Sequence, residues 1–128
     1  MVTILIIEDN ITILENTTEF LEMEGYKVGA ATNGKQGLDK IFEIIPDLII
    51  CDFLIPGMNG LDVLKMVGKN QKCKRIPFLL FSAKTEKKDI KIGLDAGADG
   101  YVSKPFDLDE LVITIERCLK NGKVSNIG

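Results

Sequence analysis

The 128-residue sequence contains no histidine and no tryptophan, and it has only three cysteines. Without histidine the chain cannot form a Ser-His-Asp or Cys-His catalytic centre, and it lacks the most common protein ligand for transition metals. Cys51, Cys73 and Cys118 are odd in number and none lies in a C-x-x-C pair, which disfavours a disulfide framework or a zinc site. Any chemistry of this chain therefore depends on carboxylates, hydroxyls and lysine.

Long apolar runs are also missing. The longest, such as residues 4–7 and 78–81, are far shorter than the roughly 20 residues that cross a bilayer. The chain enters a strand-like run at once, with no basic start and no cleavage site. The sequence therefore predicts neither a membrane span nor a secretory signal, and we expect a cytoplasmic location.

Positive charge is not in excess. The 16 Lys and Arg residues stand against 19 Asp and Glu, which gives a net charge of -3. This balance argues against direct nucleic-acid binding by a surface of bulk positive charge. The length fits one domain of a soluble globular class. We predict that this domain spans residues 1–121 and that residues 122–128 are a tail or the stump of a linker.

Five short apolar runs alternate with five segments of helical spacing. Three of the runs are apolar at consecutive positions, which is typical of strands covered by helices on both faces. The predicted strands are residues 2–7, 27–31, 47–51, 76–81 and 100–102, and the predicted helices are about residues 11–24, 34–45, 60–70, 86–96 and 107–120. Because such alternation builds parallel sheets, we predict an α/β fold with a doubly wound parallel sheet.

Polar residues lie at the ends of four predicted strands. They are Glu8 and Asp9 after the first strand, Asp52 after the third, Ser82 at the end of the fourth and Lys104 after the fifth. In a parallel sheet these ends share one edge, where doubly wound folds place their ligands. Each residue taken singly is as well explained by a helix cap or a surface charge, so it is the combination that indicates a site.

The three acidic residues would repel one another if all were ionised. Two like charges about 4 Å apart repel by about 4 kcal/mol at an effective dielectric near 20. A raised pKa on one carboxyl would relieve the repulsion, whereas a divalent cation would keep all three as ligands. Without suitable nitrogen or sulfur ligands the ion should be Mg²⁺, with Mn²⁺ as a substitute. Asp52, which ends an apolar strand, is then the candidate nucleophile toward a phosphoryl group, with Lys104 nearby.

Five motifs resemble those of the CheY-like response-regulator receiver domains of two-component signalling. They are the acidic pair 8–9, the segment 52–60, the Ser-Ala pair 82–83, the stretch 96–101 and the Lys-Pro-Phe run 104–106. The resemblance covers nearly the whole chain and implies a flavodoxin-like sheet of order 2-1-3-4-5 with five helices. It also implies a phosphoprotein that catalyses its own aspartyl phosphorylation and dephosphorylation and is not otherwise an enzyme.

The resemblance further implies a role for each site residue. Asp52 would accept the phosphoryl group from a histidine kinase or a phosphotransfer protein. Asp9, Asp52 and the backbone carbonyl of Leu54 would bind Mg²⁺, with Glu8 acting through water. The phosphorylated chain would then change the affinity of the face formed by helix 4, strand 5 and helix 5 for an output partner or domain, and a phosphorylation-dependent dimer is a further possibility.

The resemblance also implies how the signal leaves the site. Ser82 would donate a hydrogen bond to the phosphoryl group, and Lys104 would pair with it. Tyr101 would be the aromatic switch residue that packs inward when the loop carrying Ser82 moves. The bond between Lys104 and Pro105 is usually cis in this family.

Three alternatives remain at this point. A phosphorylation-independent interaction module could keep the fold, although the intact set of site residues argues against it. A flavodoxin-like FMN binder is disfavoured because Glu8 and Asp9 would repel a phosphate after the first strand. A phosphatase of the D-x-D type is disfavoured because Asp52 is followed by Phe53 and Leu54.

Overall fold

The computed structural model describes residues 1–83, 87–104 and 107–121, in which strands and helices alternate as predicted. The strands are β1 (Thr3–Ile7), β2 (Lys27–Ala31), β3 (Leu48–Asp52), β4 (Phe78–Ser82) and β5 (Gly100–Ser103). The helices are α1 (Ile11–Met23), α2 (Gly34–Ile44), α3 (Gly60–Gly68), α4 (Lys87–Asp95) and α5 (Leu108–Asn121). The predicted tail at 122–128 and the predicted helix start at residue 86 lie outside the described residues.

The five strands form one parallel sheet in the order β2-β1-β3-β4-β5. This confirms the predicted fold class and the order that the resemblance implied. The register pairs Ile7 with Cys51 and Asp52 with Phe81, so β1, β3 and β4 end side by side. From β1 the chain continues to β2 on one side and then crosses to β3 on the other side, so the direction in which strands are added reverses between β1 and β3. Ligand sites of doubly wound sheets lie at such a switch point.

Helices cover both faces of the sheet and create two apolar cores. Helices α1 and α5 pack on one face, with Leu21 fully buried among strand residues such as Ile6. Helices α2 and α3 pack on the other, where Ile41 is fully buried beside residues such as Ile7. Because alternate strand residues enter opposite cores, the central strands must be apolar at consecutive positions, which explains the runs in the sequence.

The ends of β3 and β4 differ from the prediction by one residue. Asp52 still pairs with Phe81, and Ser82 still pairs with Ser103, so both are the last residues of their strands. Strand geometry therefore sets the direction of both side chains, which a loop position would not do. The start of β4 was also predicted too early, because Pro77 has no N–H to give to the sheet and the strand begins after it.

Gly60 allows α3 to begin against the end of β3. A Cβ at Gly60 would lie 2.5 Å from the backbone oxygen of Asp52 and 3.0 Å from the Cα of Phe53. These are backbone atoms, which cannot move aside as a side chain can. We therefore predict that Gly60→Ala lowers the free energy of unfolding in urea by about 1 to 3 kcal/mol.

Gly68→Ala is the matched control, since it lies at the other end of the same helix. A Cβ there would meet nothing within 4 Å. Because alanine favours the helix over glycine, this variant should be neutral or more stable by up to about 1 kcal/mol. Equal losses of stability in the two variants would contradict the steric explanation.

Candidate functional site

Three carboxylates meet at the carboxyl ends of β1 and β3. Glu8, Asp9 and Asp52 each place an oxygen within 4.8 Å of the others. Glu8 and Asp52 are buried, whereas Asp9 is exposed although it is the next residue after Glu8. The structure thus brings together the acids that the sequence placed at one edge, with one of them open to solvent.

Backbone N–H groups orient the two buried carboxylates. The N–H of Asn10 donates to Oε2 of Glu8 at 3.1 Å, and the N–H of Leu54 donates to Oδ1 of Asp52 at 3.0 Å. The side chain of Asn10 in turn caps α1, because it accepts a hydrogen bond from the N–H of Ile13 at 3.1 Å. The turns that follow β1 and β3 therefore hold both carboxylates in fixed directions.

Lys104 lies between the two buried acids. Its Nζ donates to Oε1 of Glu8 and, at 2.7 Å, to Oδ2 of Asp52, and its side chain is 15% exposed. The ammonium also lies 4.7 Å from the centroid of the Phe81 ring. The backbone N–H of Lys104 donates to the backbone carbonyl oxygen of Ser82 at 2.8 Å, which fixes the loop after β5 against β4.

The carboxylates of this cluster outnumber its ammonium group, and burial affects the pKa values of both kinds of group. Burial raises the pKa of Glu8 to about 7, and the neighbouring Asp52 adds to the rise, while hydrogen bonds from Lys104 and Asn10 oppose it. Burial lowers the pKa of Lys104, but its hydrogen bonds to Asp52 and Glu8 outweigh this effect, so the pKa is raised overall. Within the described part of the chain, three carboxylates against one ammonium leave an excess of two negative charges when all are ionised. This oxygen-only donor set fits a hard divalent cation.

Ser82 and Tyr101 lie next to this cluster, on β4 and β5. Ser82 is buried, and Tyr101 is half-buried. Burial raises the pKa of the Tyr101 phenol, and a hydrogen bond with Ser82 opposes that rise. The Tyr101 ring is 6.3 Å from the Phe53 ring, centroid to centroid, so the residue after Asp52 also contacts it. The two predicted switch residues are therefore neighbours.

A sequence model of the response regulator receiver domain matches residues 4–116 of this chain. The chain belongs to that family. Among its relatives, the DNA-binding response regulator MtrA of Mycolicibacterium smegmatis is 35% identical over 120 residues, covering 94% of this chain and 51% of MtrA. The response regulator ArlR of Staphylococcus aureus is 38% identical over 124 residues, covering 94% of this chain and 53% of ArlR. The receiver chain thus spans about half the length of these curated relatives.

Solved structures agree with this assignment of the receiver domain. A putative response regulator from Chloroflexus aurantiacus aligns with a TM-score of 0.88 and 35% identity, covering 92% of this chain and 97% of the other. The chemotaxis response regulator CheY4 of Vibrio cholerae aligns with a TM-score of 0.87 and 31% identity, covering 91% and 98%. The predicted CheY-like fold is therefore confirmed. No helix among the described residues of the receiver domain has the length and apolar character needed to cross a membrane.

Some features of the receiver site were not predicted. The prediction paired Lys104 with a phosphoryl group, and the structure adds its ion pairs to Glu8 and Asp52. Between β3 and α3, Asn59 and Asp62 form a capping box that anchors the loop, a feature that was not predicted from the sequence. The spacing of these two residues in the sequence was a usable signal for that cap.

Two implied features stay predictions. Leu54 is exposed at the rim of the cluster and donates its N–H to Asp52. The role of its carbonyl as a metal ligand, which the resemblance implied, stays a prediction. The predicted cis bond between Lys104 and Pro105 involves a residue outside the described part of the chain.

Proposed function

We propose that this receiver domain accepts a phosphoryl group on Asp52 from a histidine kinase or phosphotransfer protein of a two-component phosphorelay. The observation that carries the proposal is the position of Asp52. Its carboxylate is buried, fixed by the N–H of Leu54, grouped with Glu8 and Asp9, and bonded to Lys104 at 2.7 Å. A nucleophile, a candidate cation site and an ammonium thus share one small volume.

The transfer step can be written with the residues of this chain. A carboxylate oxygen of Asp52 attacks the phosphorus, and a new P–O bond forms as the bond between phosphorus and the donor imidazole nitrogen breaks. The nitrogen keeps the electron pair of the broken bond. Since this sequence has no histidine, the donor imidazole lies outside these 128 residues. In dephosphorylation, a P–O bond to a water oxygen forms as the bond between phosphorus and the Asp52 oxygen breaks; Asp52 keeps the electron pair as a carboxylate, and inorganic phosphate leaves with the protons of the water.

Mg²⁺, or Mn²⁺ in its place, would supply positive charge against the phosphoryl oxygens. Glu8, Asp9, Asp52 and the carbonyl of Leu54 are the residues that would hold it. The excess of negative charge in the cluster and its all-oxygen donors support this assignment. Glu8, fully buried and one residue from Asp9, would act through a water molecule.

Ser82 and Lys104 would contact the phosphoryl group and convert its charge into a change of conformation. Charge-assisted hydrogen bonds contribute roughly 1.5 to 3 kcal/mol each, so two contribute about 3 to 6 kcal/mol. Moving a two-state equilibrium from 1:99 to 99:1 takes about 5.5 kcal/mol. Because Lys104 already binds Asp52, its net gain is at the low end, and the inactive state need be only modestly favoured.

The surface that carries the signal would be the face formed by α4, β5 and α5. Tyr101 in β5 links this face to the site through its hydrogen bond with Ser82. Its target would be an output partner, an output domain or a second phosphorylated copy. Since the relative MtrA is a DNA-binding regulator about twice as long, we propose that any DNA contact belongs to another part of such a protein and not to this acidic segment.

Mass measurement after incubation with acetyl phosphate and Mg²⁺ tests the proposed function. We expect one phosphoryl group on the wild-type chain, none on Asp52→Asn, and none on the wild type when a chelator replaces Mg²⁺. Asp39→Asn, an exposed acid on α2, is the matched control and should be modified normally. No modification of the wild type, or equal modification of Asp52→Asn, would defeat the proposal. A partner affinity that is the same in the wild type and in Asp52→Asn would favour a phosphorylation-independent interaction module.

A further inference from the structure

The buried face of helix α4 is formed by an acidic residue and a glycine, with no large apolar side chain fully buried among the described residues 87–95. Its two buried residues are Asp89, which is 9% exposed, and Gly93 one turn later. Two large apolar residues of the same helix, Ile92 and Leu94, are 48% and 45% exposed. Helix α3, by contrast, buries three apolar side chains. Apolar contact therefore holds α4 less firmly than α3, which is typical of elements that change position.

Tyr101 lies against this buried face. A Cβ on Gly93 would be 3.6 and 3.8 Å from Cδ2 and Cε2 of the Tyr101 ring. Because glycine has no side chain, the ring lies close to the helix backbone. Burial raises the pKa of Tyr101, the hydrogen bond with Ser82 opposes the rise, and the charge of Asp89 adds to it. The phenol thus hydrogen-bonds to Ser82 on β4, and its ring packs against Gly93, one turn from Asp89 on the same buried face of α4.

We propose that Asp89 is the positioning residue that couples Tyr101 to α4. The trigger, a shift of Ser82 toward a phosphoryl group on Asp52, rests on the proposed function, whereas the coupling belongs to the fold itself. When Ser82 shifts, the Tyr101 phenol changes its place relative to Asp89. Asp89 lies in the first turn of α4, where the helix N-terminus stabilises a negative charge, so the change acts on the end of the helix.

A double-mutant cycle in the unphosphorylated protein tests this coupling. The variants are Asp89→Asn, Tyr101→Phe and the two together, and the readout is amide hydrogen exchange of residues 87–95. We expect the two changes to be non-additive by about threefold or more in exchange rate, because each removes one side of the same interaction. The nearly isosteric Asp89→Asn keeps the size and polarity of the side chain, so the folded protein remains available for measurement.

The matched control pairs Tyr101→Phe with Asp95→Asn. Asp95 is an exposed acid on the same helix and binds Lys91 at 2.8 Å, so its removal should add independently to that of the phenol hydroxyl. Additive behaviour in both cycles would overturn the proposal. So would non-additivity of equal size in the two cycles, since the effect would then be general to the helix.

A second measurement follows the phosphorylated protein. With acetyl phosphate and Mg²⁺, exchange in α4 should change by about threefold or more in the wild type and in Asp95→Asn. Asp89→Asn should take up the same amount of phosphate while its α4 exchange stays unchanged, and a wild-type response in this variant would overturn the proposal. If the wild type takes up no phosphate, the proposed function fails, and the cycle in the unphosphorylated protein alone decides the coupling.

Discussion

Lys104→Met is expected to lower the free energy of unfolding of the metal-free protein by about 2 to 4 kcal/mol at pH 8. The ammonium is hydrogen-bonded to both Glu8 and Asp52, and its loss leaves two buried carboxylates facing each other. Removing one partner of a buried ion pair costs about 3 to 5 kcal/mol, and the partial exposure of Lys104 reduces this figure. Methionine keeps the length of the apolar stem, so the loss is mainly that of charge.

The same substitution should cost less at pH 5. Since the pKa of Glu8 is about 7, Glu8 is protonated there in the wild type, and the repulsion that Lys104 relieves is smaller. Urea unfolding at the two pH values, in the presence of a chelator, measures the difference. Lys91→Met breaks an exposed ion pair with Asp95 and should leave the unfolding free energy nearly unchanged. A Lys104→Met loss that is small or independent of pH would contradict the bridging role.

Glu8→Gln is expected to act in the opposite direction and stabilise the metal-free protein at pH 8 by about 1 to 3 kcal/mol. The pKa of Glu8 is raised from 4.5 to about 7 in the folded state, first because the carboxyl is buried. Between these values the folded state binds more protons than the unfolded state, so stability falls as the pH rises through this window. Each tenfold change in proton affinity corresponds to about 1.4 kcal/mol, so a pKa raised from 4.5 to about 7 limits the effect to about 3 kcal/mol. A glutamine stays neutral and can still accept a hydrogen bond from Lys104.

Unfolding free energies measured from pH 4 to pH 8 in a chelator test this prediction. The wild type should lose stability between about pH 4.5 and 7 and level off above it, whereas the Glu8→Gln curve should be flatter and meet the wild-type curve at the acidic end. Glu15→Gln, which changes an exposed glutamate on α1, should retain the wild-type curve. Parallel curves for wild type and Glu8→Gln would show that Glu8 does not titrate in this window.

Mg²⁺ should reverse the pH trend of the wild type. A cation bound by the cluster needs ionised carboxylates, so the stabilisation by a fixed Mg²⁺ concentration should grow as the pH rises through about 7. Lys104→Met should gain more stability from Mg²⁺ than the wild type, because the metal then replaces the ammonium that balances the two buried acids. The absence of any Mg²⁺ effect in both proteins would contradict the proposed metal site while leaving the ion-pair prediction intact.

The fold was predictable because hydrophobic pattern and turn chemistry agree along the whole chain. Consecutive apolar residues in the central strands follow from burial on both faces, and Gly25, with φ +97, takes the left-handed conformation just after α1, where glycine is favoured. The errors were confined to element ends. Asp52 was placed just after its strand, and the predicted range of the fourth strand stopped one residue before Ser82, whereas the sheet includes both residues.

The sequence alone determined that carboxylates, a hydroxyl and a lysine share one edge of a parallel sheet, since strand direction dictates which residues meet there. Tertiary structure decided which of these charged groups are buried and which of them form ion pairs. It buries Glu8 and exposes Asp9, and it brings Lys104 across 96 positions to bridge Glu8 and Asp52. Side-chain direction beyond a strand end has no periodicity to follow, and contacts between distant residues depend on how the layers pack, so no local pattern could have specified either.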